Sequence, residues 1–193
     1  MSIRALALFV HIVGALALFA GLALEQASLR NLRRATGSAQ AREWARLWSA
    51  LPRVDGPAAL TVVASGVYLA AVSHVHAAWV ALGLLGMVAM GALGGAVTRR
   101  RVREIARSLP VGDADPLPTT LSQRLRDPAL HAAAAFRLAI ALGVVFEMTV
   151  KPETVAALAG MAVALGAGAF MARDRSAAGA RRTVLAAGGE ARP

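Results

Sequence analysis

The 193-residue sequence contains no cysteine. Disulfides, thiolate metal sites and thiol nucleophiles are therefore excluded. Charge is also scarce, at 17% of residues, and aromatics make up only 5%, whereas soluble domains carry roughly a quarter charged residues. Of the 21 basic residues a single one, Lys151, is lysine. A GC-rich genome produces such an arginine excess by itself, so it does not signal guanidinium recognition. What the chain has in quantity is apolar surface, with 57% hydrophobic residues and a mean hydropathy of +0.56. It reads as one all-α integral membrane domain.

A net charge of +10 would suit nucleic acid, but the positions of the basic residues decide otherwise. Six lie between Gln26 and Asp55, seven between Thr98 and Ala129, and five after Ala172, all between or beyond apolar runs. This is the pattern of basic cytoplasmic loops. The expected partner is the lipid bilayer and not nucleic acid.

The clearest span runs from Pro128 to Val150. Asp127-Pro128 is a helix start, a capping acid before a proline at the first helical position, and Lys151-Pro152 is a stop. Its 23 residues extend about 34 Å, enough for a hydrocarbon core of ~30 Å. Further spans are expected at about residues 3–24, 57–73, 77–97 and 153–172. A cytoplasmic loop then covers 98–127, residues 1–172 form one domain, and 173–193 is a basic disordered tail.

The arginine bias predicts five spans in the bacterial inner membrane, with the N-terminus outside and the C-terminus inside. The first apolar run, of roughly 20 residues, is longer than a signal-peptide core of 7–15 and no small-x-small site closes it. It is read as a span; its removal would leave four. Trp44, Leu47, Trp48 and Leu51 share one helical stripe, which predicts a helix over about 40–51 at the headgroup boundary, anchored by the two Trp rings. Gly14 and Gly21 share a face, and Gly91 and Gly95 form a GxxxG. Such faces suit close helix packing, a homo-oligomer or a membrane partner.

Ionisable groups inside lipid are costly and mark candidate sites. His11, Glu147, the turn residues His74 and His76, and Lys151 share the outer half of the membrane. His131 belongs to the inner end, ~20 Å from His11 along the membrane normal, so those two cannot hold one metal. His11 with His74 or His76 is the pairing that approaches a haem or metal site. The plainer reading gives His11 a hydrogen bond to a neighbouring helix and leaves the turn histidines solvated. Glu147 is expected to pair with Lys151 at i, i+4, or with His11 as a carboxylate–imidazole couple. Arg137, near the inner end of its span, is expected to pair with Glu25 as a clamp between helices.

Two stretches carry a family resemblance. FVHIVGALALFAGLALE resembles the first helix of a group of small bacterial membrane proteins that includes the copper-resistance D type, the HemJ-type protoporphyrinogen oxidases and families of unknown function. FRLAIALGVVFEMTVKP is similar to a late helix of that group. The HemJ resemblance implies haem b with His11 as axial ligand. The copper-resistance resemblance implies copper handling at His11, His74 and His76. The chain departs from the first by lacking a Trp in its opening helix and from the second by lacking Met-rich copper motifs. The reading is therefore a multi-span protein with a non-enzymatic transport or assembly role, with haem-linked redox chemistry and copper handling as alternatives.

Overall fold

The structure, a computed structural model, describes residues 2–74, 78–109, 119–125 and 127–189, with 119, 120, 122 and 174–189 as backbone only. It is an all-α bundle. Among the described residues, five helices are long and apolar enough to cross a membrane: Ile3–Arg34, Ser38–Val72, Ala78–Ser108, Gln123–Val150 and Thr154–Arg173.

Helix α1 (Ile3–Arg34) begins at Ser2, whose hydroxyl accepts from the Ala5 amide, and runs 32 residues. At about 48 Å it outlasts a bilayer core. The expected end near residue 24 followed hydropathy, but the buried stripe continues through Leu22, Glu25, Leu29 and Leu32, so packing carries the helix past the membrane. Helix α2 (Ser38–Ala50) passes through the helical Leu51 into α3 (Pro52–Val72). Pro52 stands in the first turn of α3, where its missing N–H costs nothing. Helix α4 (Ala78–Ala92) widens into a π-helical turn at Leu93–Arg99 and continues as α5 (Arg100–Ser108). Helix α6 (Thr119–Leu125) precedes α7 (Pro128–Val150), whose boundaries match the sequence reading. Asp127 caps α7 by accepting from Ala129 N at 2.9 Å, and Lys151 closes it in the left-handed conformation at φ 50°.

Helix α8 (Thr154–Gly189) is helical well beyond residue 173, where the sequence suggested a disordered tail. The segment is rich in Ala and Arg, both strong helix formers.

Helix α7 is the central element. It packs against α8, α4 and α1, while α1 packs along α3. Small residues set these contacts. Gly83 and Gly86 of α4 seat Met148, Val144 and Ile140 of α7, and Gly143 of α7 meets Ala164 and Met161 of α8. Gly14 of α1 lies on Thr61 and Val62 of α3. The GxxxG formed by Gly91 of α4 and Gly95 of the π-helical turn behaves differently, because neither has anything within 4 Å of an added Cβ. They face open space rather than a packed helix.

Two cores result. One, in the span region, gathers Leu18, Leu22, Ala58, Met90, Ile140, Ala141 and Val144. The other closes the arginine-rich end, hereafter the basic end, with Leu29, Leu32, Ala45, Trp48, Leu51, Val102, Ile105, Leu121, Leu125 and Leu130. The segment read as a loop over 98–127 thus contributes α5 and α6 to a packed cap; residues 110–118 and 126 lie outside the described residues. The two-Trp headgroup anchor is corrected in the same way. Trp48 is 4% exposed inside the cap, Trp44 packs at its margin, and Leu47 faces out. Ala41 and Ala45, too small to register as a hydrophobic stripe, are what turn the helix that way.

Candidate functional site

Three elements bring charge together where the spans meet the cap. Arg137 lies nine residues into α7, and side chains on a helix lean towards its N-terminus, here the basic end. Its guanidinium Nη1 donates to Glu25 Oε2 of α1, forming a buried ion pair. Its Nη2 stands 3.7 Å from Asp55 Oδ2 of α3. Glu25 is 1% exposed and Arg137 8%. The Glu25–Arg137 partnership is the one the sequence suggested.

Asp55 was missed. Asp55-Gly56-Pro57 looks like a helix start, but α3 already begins at Pro52 and carries Asp55 one turn inside. Two glycines make room for the centre. A Cβ at Gly21 would collide with Asp55 Oδ1, and a Cβ at Gly94 would sit 3.0 Å from Arg137 Cζ. Gly94 belongs to the π-helical turn, a feature often found at functional sites. Nothing in the sequence announces that turn.

These groups border a cavity of about 630 Å³. Its lining includes the buried Glu25, Thr98 and Arg137 with the half-buried Asp55, the apolar Leu18, Ala59, Met87 and Met90, and the exposed Arg53, Arg99 and Arg103, which mark its mouth. Gly91 and Gly95 open onto it. Glu25 Oε1, Asp55 Oδ1, Thr98 Oγ1 and Arg137 Nε are buried and have no hydrogen-bond partner among the described residues. Buried polar atoms are ordinarily satisfied, so four together around one cavity call for an explanation.

The remaining candidates are separate from this centre. His11, half-buried, has Nδ1 3.0 Å from Val62 O and 3.0 Å from Ser65 Oγ on α3. A carbonyl only accepts, so Nδ1 carries the proton. His11 is thus a clamp between α1 and α3, with its ring against Gly66. His74 ends α3 in the left-handed conformation at φ 50° and is exposed. It lies nine residues beyond Ser65, about 13 Å of helical rise, so the two imidazoles are not at one depth. His76 lies outside the described residues. Among the described residues there is no group of three or more His, Asp or Glu placed to hold a metal ion.

Glu147 is fully buried on α7, and neither carboxyl oxygen has a hydrogen-bond partner among the described residues. Its expected pairing with Lys151 does not form, because the left-handed cap turns Lys151 off the helical register while only its backbone N–H reaches Glu147 O. The couple with His11 is also absent, the imidazole being committed to α3. His131 is buried, with Nε2 3.3 Å from Leu125 O at the junction of α6 and α7.

No protein family, curated protein or solved structure matches this chain.

Proposed function

We propose that the chain is a multi-pass protein of the bacterial inner membrane with a non-enzymatic transport or assembly role, and that the cavity around Arg137 is its working site. The observation that carries this reading is that four residues from α1, α3, α7 and the π-helical turn, each with an unsatisfied buried polar atom, border one cavity. Groups that served only to clamp helices would be expected to satisfy one another. With the arginine-rich segments in the cytoplasm, the cavity opens on the cytoplasmic side.

The test is co-purification. Small molecules and lipids extracted from the detergent-purified protein are compared between wild type and Arg137→Gln by mass spectrometry. Enrichment of a species in the wild type and its loss in the variant is the expected result; identical profiles from two folded proteins would contradict the reading.

A second reading keeps the haem implied by the resemblance. The Val62 bond to His11 Nδ1 leaves Nε2 free, the arrangement of a ligating imidazole. A reduced-minus-oxidised visible spectrum, taken after expression with haem precursor, decides it through the presence or absence of a Soret band dependent on His11.

A further inference from the structure

The ionisable groups of the cavity are arranged in order. Glu25 and Asp55, two acids, face the single Arg137. Three exposed arginines, Arg53, Arg99 and Arg103, stand at the mouth and make no ion pair among the described residues. Of the four unsatisfied atoms, three are oxygens of residues that border the cavity, Glu25 Oε1, Asp55 Oδ1 and Thr98 Oγ1, of which Asp55 Oδ1 turns towards Gly21. Two of them can only accept when their carboxylates are ionised. The complement is a ligand whose leading end is a hydrogen-bearing cation and whose following group is an anion.

The walls add a second requirement. From Glu25, the lining rises along α1 to Leu18 and along α4 to Met87 and Met90, about 10 Å towards the middle of the membrane at the helical rise. Helices α1 and α3 pack as one pair and α7 with α4 and α8 as another, while α3 and α4 touch only sparingly. The cavity is lined from both α3 and α4, and a parting of this sparse contact would connect it with the bilayer. An amphiphile can enter there with its chains still in lipid.

We infer that this cavity binds a primary ammonium carried beside a phosphate or carboxylate, the headgroup chemistry of an aminophospholipid, with the ammonium on Glu25, Asp55 and Thr98 and the anion on the mouth arginines. The inference rests on the reading of the cavity as the working site. Charge-assisted hydrogen bonds from the ammonium satisfy the carboxylate oxygens, and basic residues at the cytoplasmic boundary hold the phosphate. A quaternary ammonium has no N–H to donate and is rejected.

The test is the thermal midpoint of the delipidated full-length protein, followed by Trp fluorescence. It is measured with phosphatidylethanolamine, phosphatidylcholine or phosphatidylglycerol in mixed micelles, and with soluble phosphoethanolamine or glycine. Phosphatidylethanolamine at saturation is expected to raise Tm by roughly 5 °C. Phosphatidylcholine and phosphatidylglycerol should give little of this, and Asp55→Asn and Thr98→Val should each weaken the apparent affinity about tenfold or more. Two variants are specified because Asp55→Asn alone disturbs the ion centre. An equal shift with soluble phosphoethanolamine or glycine supports the same chemistry from a soluble source. An equal shift with phosphatidylglycerol or phosphatidylcholine, unaffected by either variant, overturns the inference and leaves the cavity a site for another ligand. No shift with any probe, while wild type still co-purifies a species that Arg137→Gln loses, also overturns the inference and spares the broader reading. No shift and no such species overturns both.

Discussion

Single side chains carry the strongest energetic statements. Breaking a buried ion pair from one side leaves an uncompensated charge, so Arg137→Met is expected to destabilise by about 3–5 kcal/mol. The double variant Glu25→Leu/Arg137→Met should recover much of that loss, because a buried pair often exchanges for apolar groups at little cost. Thermal melts of the two proteins check the comparison, and a double variant no better than the single would show that Asp55 needs Arg137 more than Glu25 does. Glu147 gives the opposite sign. Its carboxyl is fully buried without a hydrogen-bond partner among the described residues, so Glu147→Leu should raise stability by about 1–3 kcal/mol. A lowered midpoint would reveal a partner holding that carboxylate. His11→Phe removes the bond to Val62 and should cost about 1 kcal/mol, read in the same melts.

At the scale of elements, glycine position separates packing from opening. Gly21 lies against Asp55 with no room for a methyl group, whereas Gly91 faces the cavity. Gly21→Ala should cost about 1–3 kcal/mol by overpacking, and Gly91→Ala should stay close to wild type. Equal effects would mean that the face of α4 bearing Gly91 is covered.

The same scale shows what was legible in the sequence. Helix α7 could be read to the residue because its cap, proline and stop are local signals. The Glu25–Arg137 pair could be read because charges inside apolar runs are rare and seek each other. Helix ends outside the membrane were not legible, since α1 continues through polar residues on the strength of Leu29 and Leu32, which join a core shared with α2, α6 and α7. Asp55 was hidden by its likeness to a capping residue, and the π-helical turn has no local signature. Gly91 and Gly95 matched a packing motif that records spacing and says nothing of what lies opposite.

The molecule as a whole is a span bundle closed at its basic end by a small helical cap, with the charged cavity at the junction. The cap has a core of soluble type. Trp48→Ala should therefore cost about 3–5 kcal/mol and loosen the seating of α2, α5 and α6, seen as faster proteolysis of the basic-end segments in membranes. Equal proteolysis of variant and wild type would place Trp48 outside that core.

The most direct measurement exploits the absence of native cysteine. A single Gly91→Cys reports on the cavity, and a membrane-impermeant maleimide is applied to inverted and to right-side-out membrane vesicles. Labelling in inverted vesicles, slowed by Arg137→Leu only if the cavity closes, together with protection in right-side-out vesicles, is the predicted result. Labelling from the opposite face alone, or none from either side although the denatured protein reacts, would contradict the proposed opening of the charged cavity to the cytoplasm.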